Sequence, residues 1–211
     1  MSPRTGLART SLARMSPAAD AAAVLRRWRP PNVRQRRLRD EFLALLGARP
    51  DATSRNCVPD HLTASTLVVS SDRDRVLLTL HSRLGRWLQT GGHCEPSDPA
   101  LASAALREAT EESGIRALTL DPVPLMLDRH EVPCGPLRPA HHLDVQYLAV
   151  APEGAVEVCG PESAALGWFA PDALPDSADA SVRALVSAAL GRLAHGSSYC
   201  GSPAASETPC R

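Results

Sequence analysis

Lysine is absent from this chain. All 23 basic residues are arginine, set against 23 acids for a formal net charge of zero. In a chain also rich in alanine and proline, that bias reflects GC-rich coding and says little about function. The distribution of charge says more. Residues 1–40 hold ten arginines against two acids, Asp20 and Asp40, a surplus of eight positive charges. Residues 41–211 hold thirteen arginines against twenty-one acids, a surplus of eight negative charges. The chain reads as an acidic body with a basic appendage.

Long apolar runs are missing too. None approaches the ~18–20 residues of a membrane span, so no membrane partner is expected. Residues 1–19 carry arginine and serine without an acid, which superficially suits an organellar transit peptide. They lack the apolar core of a secretory signal, and we read them as an ordinary disordered start, with Met15 as a second candidate initiator. No C-x-x-C pair occurs among the six cysteines at 57, 94, 134, 159, 200 and 210. The expectation is a cytoplasmic protein with free thiols. Hydrophobic content of 44% and charged content of 22% exclude a wholly disordered or fibrous chain.

Three segments follow: an Arg-rich, partly helical extension over 1–54, a single body domain over 55–195, and a disordered tail over 196–211. In the extension the pattern predicts a short helix over Asp20–Trp28, stopped by Pro30-Pro31. Asn32 is placed to cap a second helix running to Leu46 and ended by Gly47. Leu38, Phe42, Leu45 and Leu46 form its apolar stripe, with Arg34, Arg36, Arg37 and Arg39 mostly off it. Those arginines are either a solvated face or an arm for phosphate or nucleic acid. A single aromatic, Trp28, is interleaved with them, so base stacking has little support.

In the body, strands are predicted over Leu62–Ser70, Val76–His81, Arg86–Thr90, His142–Val150 and Ala165–Phe169. Leu118–Arg129 is strand-like, but Pro122 and Pro124 make it an edge strand or two pieces. Helices are predicted over Pro99–Ser113 and, capped by Asp179, over Ala180–His195. The mixture argues for one α/β or α+β sandwich domain.

The informative stretch is Gly91–Ile115, GGHCEPSDPALASAALREATEESGI. It is a glycine loop followed by a helix loaded with carboxylates. Glu108, Glu111 and Glu112 stand at i, i+3 and i+4, on one helical face. Like charges so placed repel by a few tenths of a kcal/mol per pair, which Arg107 offsets only in part. A solvated acidic face is the bland reading. A hard cation such as Mg²⁺, bound through oxygen, is the chemical one, and it suits phosphate chemistry.

These residues resemble the Nudix box, Gly-x5-Glu-x7-Arg-Glu-U-x-Glu-Glu-x-Gly-U, where U is aliphatic. Gly92 matches the first glycine, and Asp98 stands in the first acidic position. Arg107-Glu108-Ala109-x-Glu111-Glu112-x-Gly114-Ile115 matches the rest in order. Asp replaces Glu at 98, and eight residues rather than seven separate it from Arg107. The extra residue precedes the helix core, so the Arg-Glu-x-x-Glu-Glu register survives. With its flanking strands the resemblance covers roughly 58–195.

The resemblance implies an α/β/α sandwich and hydrolysis, dependent on Mg²⁺ or Mn²⁺, of a phosphoanhydride in a nucleoside diphosphate linked to another moiety. By position, Glu108, Glu111 and Glu112 are the implied metal ligands, and the carbonyl of Gly91 or Gly92 is a further one. One of the glutamates is the implied general base. Arg107 would orient them, and Asp98 and Glu95 would support the loop. Glu162 is the candidate carboxylate from a later loop. The implied partner is a small nucleotide derivative, with nucleic acid reachable only through the Arg-rich extension; a homodimer is compatible. The alternative is a non-catalytic Nudix-fold binding or regulatory module. Such modules usually lose box glutamates, which this chain keeps. Isomerase chemistry on an isoprenoid diphosphate finds no convincing match.

Histidines and neighbours add two readings. His142, Asp144 and Gln146 alternate with apolar residues on one strand face, which is then either solvated or lines the substrate cleft. His130, Cys134, His141 and His142 invite a zinc reading, but they match no standard module, and 141 and 142 face opposite ways. Cys94 is conceivable as a nucleophile, though hydrolysis of this kind needs no covalent step. His61 and His81 are expected to satisfy local hydrogen bonds.

Overall fold

A computed structural model describes residues 16–133, 136–160 and 163–196. The tail beyond 196, Glu162 and Cys134 therefore lie outside the described residues.

The first helix, α1 (Pro17–Arg27), begins earlier than its apolar pattern predicts because Ser16 caps it. The Ser16 hydroxyl accepts from the Ala19 amide at 3.2 Å, and proline occupies the first turn. In α2 (Val33–Ala48) the Asn32 side chain accepts from the Gln35 amide at 2.9 Å, as its position predicts. Gly47 does not end α2; the helix runs one residue further, with Pro50 shortly after.

The body strands are β1 (His61–Val69), β2 (Val76–His81), β3 (Trp87–Leu88), β4 (Thr90–His93), β5 (Thr119–Val132), β6 (Ala140–Val150) and β7 (Ser163–Phe169). The predicted third strand is thus two short ones. The main path of the sheet is β3-β2-β1-β6-β5, with β4 also pairing β1 and β7 pairing β2. The central β1–β6 pair is parallel, and every other pairing is antiparallel. Despite its prolines, β5 is one element. It lies at the sheet edge, and its register shifts between Asp121 and Met126, where the missing proline donors are tolerated. Arg192 holds that irregular stretch, donating to Asp121 at 2.6 Å and to the Pro124 carbonyl at 3.2 Å.

Two layers of helix enclose the sheet, giving the α/β sandwich the sequence implies. Residues of period two divide the strands between them. Leu62, Ala64, Leu143, Val145 and Tyr147 pack on Leu101, Ala104 and Ala105 of α3 (Leu101–Ser113). Leu67, Val69, Val76, Leu78 and Leu148 pack on Val182, Leu185, Val186 and Ala189 of α4 (Ala180–Gly196). Asp179 caps α4, accepting from the Ser181 and Val182 amides at 2.9 and 3.1 Å.

The helices of the extension share this core. Ala21, Leu25, Trp28 and Phe42 are buried in the same cluster as Leu62 and Leu101. Gln35, 3% exposed, pairs with the backbone of Leu127 in both directions, at 2.8 and 2.7 Å, and so extends the ladder of the β5 edge. Arg129 meets Glu41 at 2.9 Å, and Arg34 lies 3.6 Å from Asp128. Part of the N-terminal positive charge is therefore laid against the body. Among the described residues no helix is long and apolar enough to cross a membrane.

Candidate active site

The box occupies β4, the following loop and α3. Gly91 has φ +155, and a Cβ there would sit 2.3 Å from the Ser65 Cβ, so only glycine lets β4 close on β1. At Gly92 a Cβ would lie 2.7 Å from the Glu108 carboxyl carbon. Its absence lets the strand backbone approach that carboxylate. Gly114, at φ +68, ends α3 in the left-handed conformation.

Arg107 is the hub. Its Nε and Nη2 donate to the two oxygens of Asp98 at 3.1 and 3.0 Å, a bidentate pair. Nη2 also donates to the His93 carbonyl at 2.9 Å. Nη1 donates to Glu108 and Glu111, both at 3.0 Å. Asp98, 6% exposed, also accepts from the Glu95 amide at 2.8 Å, closing the loop before the helix. The Asp98 hydrogen bond is the largest influence on Arg107 and holds its guanidinium more firmly charged than usual. Glu112 accepts from the Gly91 amide at 3.0 Å, on the strand whose next residue, Gly92, approaches Glu108. The helix therefore presents Glu108, at 17% side-chain exposure, and Glu111, at 60%, with one arginine partner between them. Hard oxygen donors beside an unobstructed glycine backbone fit a Mg²⁺-class ion.

Cys94 is 8% exposed, and burial, then nearby Asp98, pushes its thiol up to about 12. It stays protonated, and nothing in this setting makes it a nucleophile.

The polar face of β6 is not solvated. Asp144 and Gln146 are 3% and 1% exposed. Asp144 accepts from Thr63, Ser65 and Gln146 at 3.0, 2.6 and 3.2 Å. These bonds knit β1 to β6, whose residues 63 and 144 are direct partners. Burial raises the Asp144 carboxyl above its ordinary value, and the charge of His130 and these hydrogen bonds oppose the rise. A strand face of His, Asp and Gln is thus compatible with burial when a neighbouring strand supplies hydroxyl donors.

Of the grouping His130, Cys134, His141 and His142, the described members brought together are His130 and His142, direct partners on β5 and β6 with ring centroids 5.5 Å apart. His141 bonds Asp60 through Nδ1 at 3.0 Å and lies 3.1 Å from Arg129, on the side away from His142. His142 also faces His61 and His93, with ring centroids 4.8 and 5.0 Å away. Among the described residues this is the trio of His, Cys, Asp or Glu whose ligand atoms lie within 4.8 Å of one another; the three glutamates do not converge in this way. Burial, followed by the charge of neighbouring imidazoles, pushes His142 down to about 3 and His93 down to about 4. His61 and His142 are 81 residues apart, and only the parallel β1–β6 pairing brings them opposite. No local pattern announces it.

Two surface cavities, of ≈ 250 and ≈ 390 Å³, lie elsewhere and are lined by no residue of the Gly91–Ile115 segment.

The NUDIX domain family model matches residues 59–189, and the chain belongs to that family. A NUDIX-family hydrolase from Clostridium perfringens is similar in structure, with a TM-score of 0.53 at 25% identity, covering 63% of this chain and 97% of that one. A C. elegans Ap4A hydrolase gives 0.53 at 18% identity, over 64% of this chain and 98% of that one. The MutT protein of Methanosarcina mazei Go1 gives 0.52 at 16%, over 64% and 96%. The last two likenesses establish the fold alone. The chain is a hydrolase acting on pyrophosphate bonds.

Proposed function

We propose that the protein hydrolyses a phosphoanhydride in a nucleoside diphosphate linked to another moiety, using Glu108, Glu111 and Glu112 as ligands for Mg²⁺ or Mn²⁺. The observation that carries this reading is the approach of the Gly92 backbone to the Glu108 carboxylate, beside Arg107. The Gly92 carbonyl is the backbone candidate for a further ligand. Such an ion, when bound, neutralises phosphate charge and makes a bound water more acidic.

The chain's own residues supply the rest. Arg107, fixed by Asp98, holds Glu108 and Glu111 in place. One of the three glutamates takes the proton of the attacking water as the water oxygen bonds to phosphorus and the anhydride oxygen leaves with the second phosphate. Base or sugar recognition falls to segments outside the box, 82–90, 130–142 and 157–166, with His142 the partly exposed member of the His142, Asp144 and Gln146 face.

A substrate panel read by mass spectrometry tests this. It should span nucleoside triphosphates (oxidised ones included), ADP-ribose, NADH, nucleotide sugars and dinucleoside polyphosphates. Cleavage of at least one member with Mg²⁺ or Mn²⁺, abolished by chelator, is expected. Turnover that persists in chelator would overturn the metal assignment, and no turnover across the panel would overturn the substrate class.

A further inference from the structure

We propose a second metal site, built from His61, His93 and His142, for a divalent transition metal of the zinc class. It is separate from the box glutamates and lies on the opposite face of the sheet.

The strand register assembles it. His61 pairs directly with His142 across the parallel β1–β6 ladder, and His93 pairs with Thr63, two residues along β1 on the same face. Period two sends all three rings to one side. The ring centroids are 5.0 Å apart for His61–His93, 4.8 Å for His61–His142 and 5.0 Å for His93–His142. Consecutive residues of β4 serve different sites: Gly92 faces Glu108 on the α3 side, and His93 faces away from it.

A second observation points to a ligand. The Nε2 atoms of His61, His93 and His142 are all buried and lack a hydrogen-bond partner. Buried nitrogens normally find one, and here three in one cluster do not. For His61 the tautomer follows from its other nitrogen. Nδ1 lies 3.0 Å from the Cys57 carbonyl, which can only accept, so the proton is on Nδ1 and the Nε2 lone pair points into the cluster. An imidazole anchored through one nitrogen to a carbonyl and open at the other is the arrangement of a metal-bound histidine.

Imidazole donors select zinc, cobalt, nickel or copper over magnesium or calcium. Bonds of ~2.1 Å in a tetrahedral set bring the nitrogens to ~3.4 Å of one another. The donor atoms here lie within 4.8 Å, so ring rotation closes the set with no change of strand pairing. Three protein ligands leave a position for water, and His93 and His142 are partly exposed, which gives an entry path.

The test uses the full, untagged chain, stripped with a chelator and titrated with Co²⁺. With excess Mg²⁺ present to fill the box glutamates, one Co²⁺ per chain is expected, with the visible absorption of a low-coordinate nitrogen site, displaced by Zn²⁺. His93→Gln and His142→Gln should each abolish that absorption, while the double variant Glu111→Gln, Glu112→Gln should keep it. X-ray absorption on the zinc-loaded, unaltered chain should report three imidazole nitrogens, and it decides the matter if the histidine variants misfold. No retained Co²⁺, a metal shell without imidazole, or an absorption lost in the glutamate variant and kept in the histidine variants would each overturn the site.

Discussion

The carboxylate of Asp20, on α1, accepts a hydrogen bond from the Leu101 amide, at the start of α3, at 2.9 Å. The residue preceding α3 is Ala100, which offers no side-chain cap. The extension therefore caps the helix that carries the box glutamates, across 81 residues of sequence. Asp20→Ala should cost about 1 kcal/mol of stability, as for other lost caps, and Asp20→Asn, which keeps an acceptor, should cost much less. Chemical denaturation of both variants checks this; equal stabilities would show that the bond contributes nothing.

Arg107 spans Asp98, Glu108, Glu111 and the His93 carbonyl at once. A lysine is a point donor and cannot reproduce that fork. Arg107→Lys should lower kcat/KM on the order of tenfold or more, which is ~1.4 kcal/mol of transition-state stabilisation. Steady-state kinetics beside a circular dichroism spectrum separates this from misfolding. Unchanged turnover would show that the glutamates do not depend on Arg107 for placement.

The two box glycines should fail differently. At Gly91 a Cβ meets the Ser65 Cβ and the β1 backbone, and φ is +155. Gly91→Ala should therefore destabilise the fold. At Gly92 the obstructing atoms are the far end of the Glu108 side chain. Gly92→Ala should fold and lose turnover instead. Thermal melts and activity assays on both variants distinguish the two modes.

Thiol chemistry should be confined to the surface. Cys57 and Cys94 are buried and Cys159 is exposed. Brief alkylation of the folded chain should label Cys159 and spare Cys57 and Cys94, and Cys94→Ser should keep turnover. Peptide mapping by mass spectrometry reads the first result; loss of turnover in Cys94→Ser would reinstate a nucleophilic thiol.

Much of the fold is legible in the sequence because it is written locally. Asn32 and Asp179 stand at true helix starts, the apolar stripe of α4 packs on the sheet, and the spacing of Arg107, Glu108, Glu111 and Glu112 marks the box helix. What escaped is non-local. The cap from Asp20, the Gln35–Leu127 pairing and the His61–His93–His142 cluster all depend on which segments become neighbours. Closeness in sequence does not find that cluster, because His61 and His93 reach His142 only through the β1–β6 and β1–β4 pairings. That Asp144 is buried and bonded to Thr63 and Ser65 is likewise invisible in the alternation of β6 alone, because the donors lie on a neighbouring strand.

The central claim is that the box glutamates perform metal-dependent hydrolysis. Single-turnover rates of Glu111→Gln and Glu112→Gln, measured with saturating Mg²⁺ on a substrate that the unaltered chain cleaves, test it most directly. Each change keeps the side-chain shape and removes one negative charge. The account predicts a loss of orders of magnitude in rate with an unchanged circular dichroism spectrum. Turnover equal to that of the unaltered chain in either variant would contradict it.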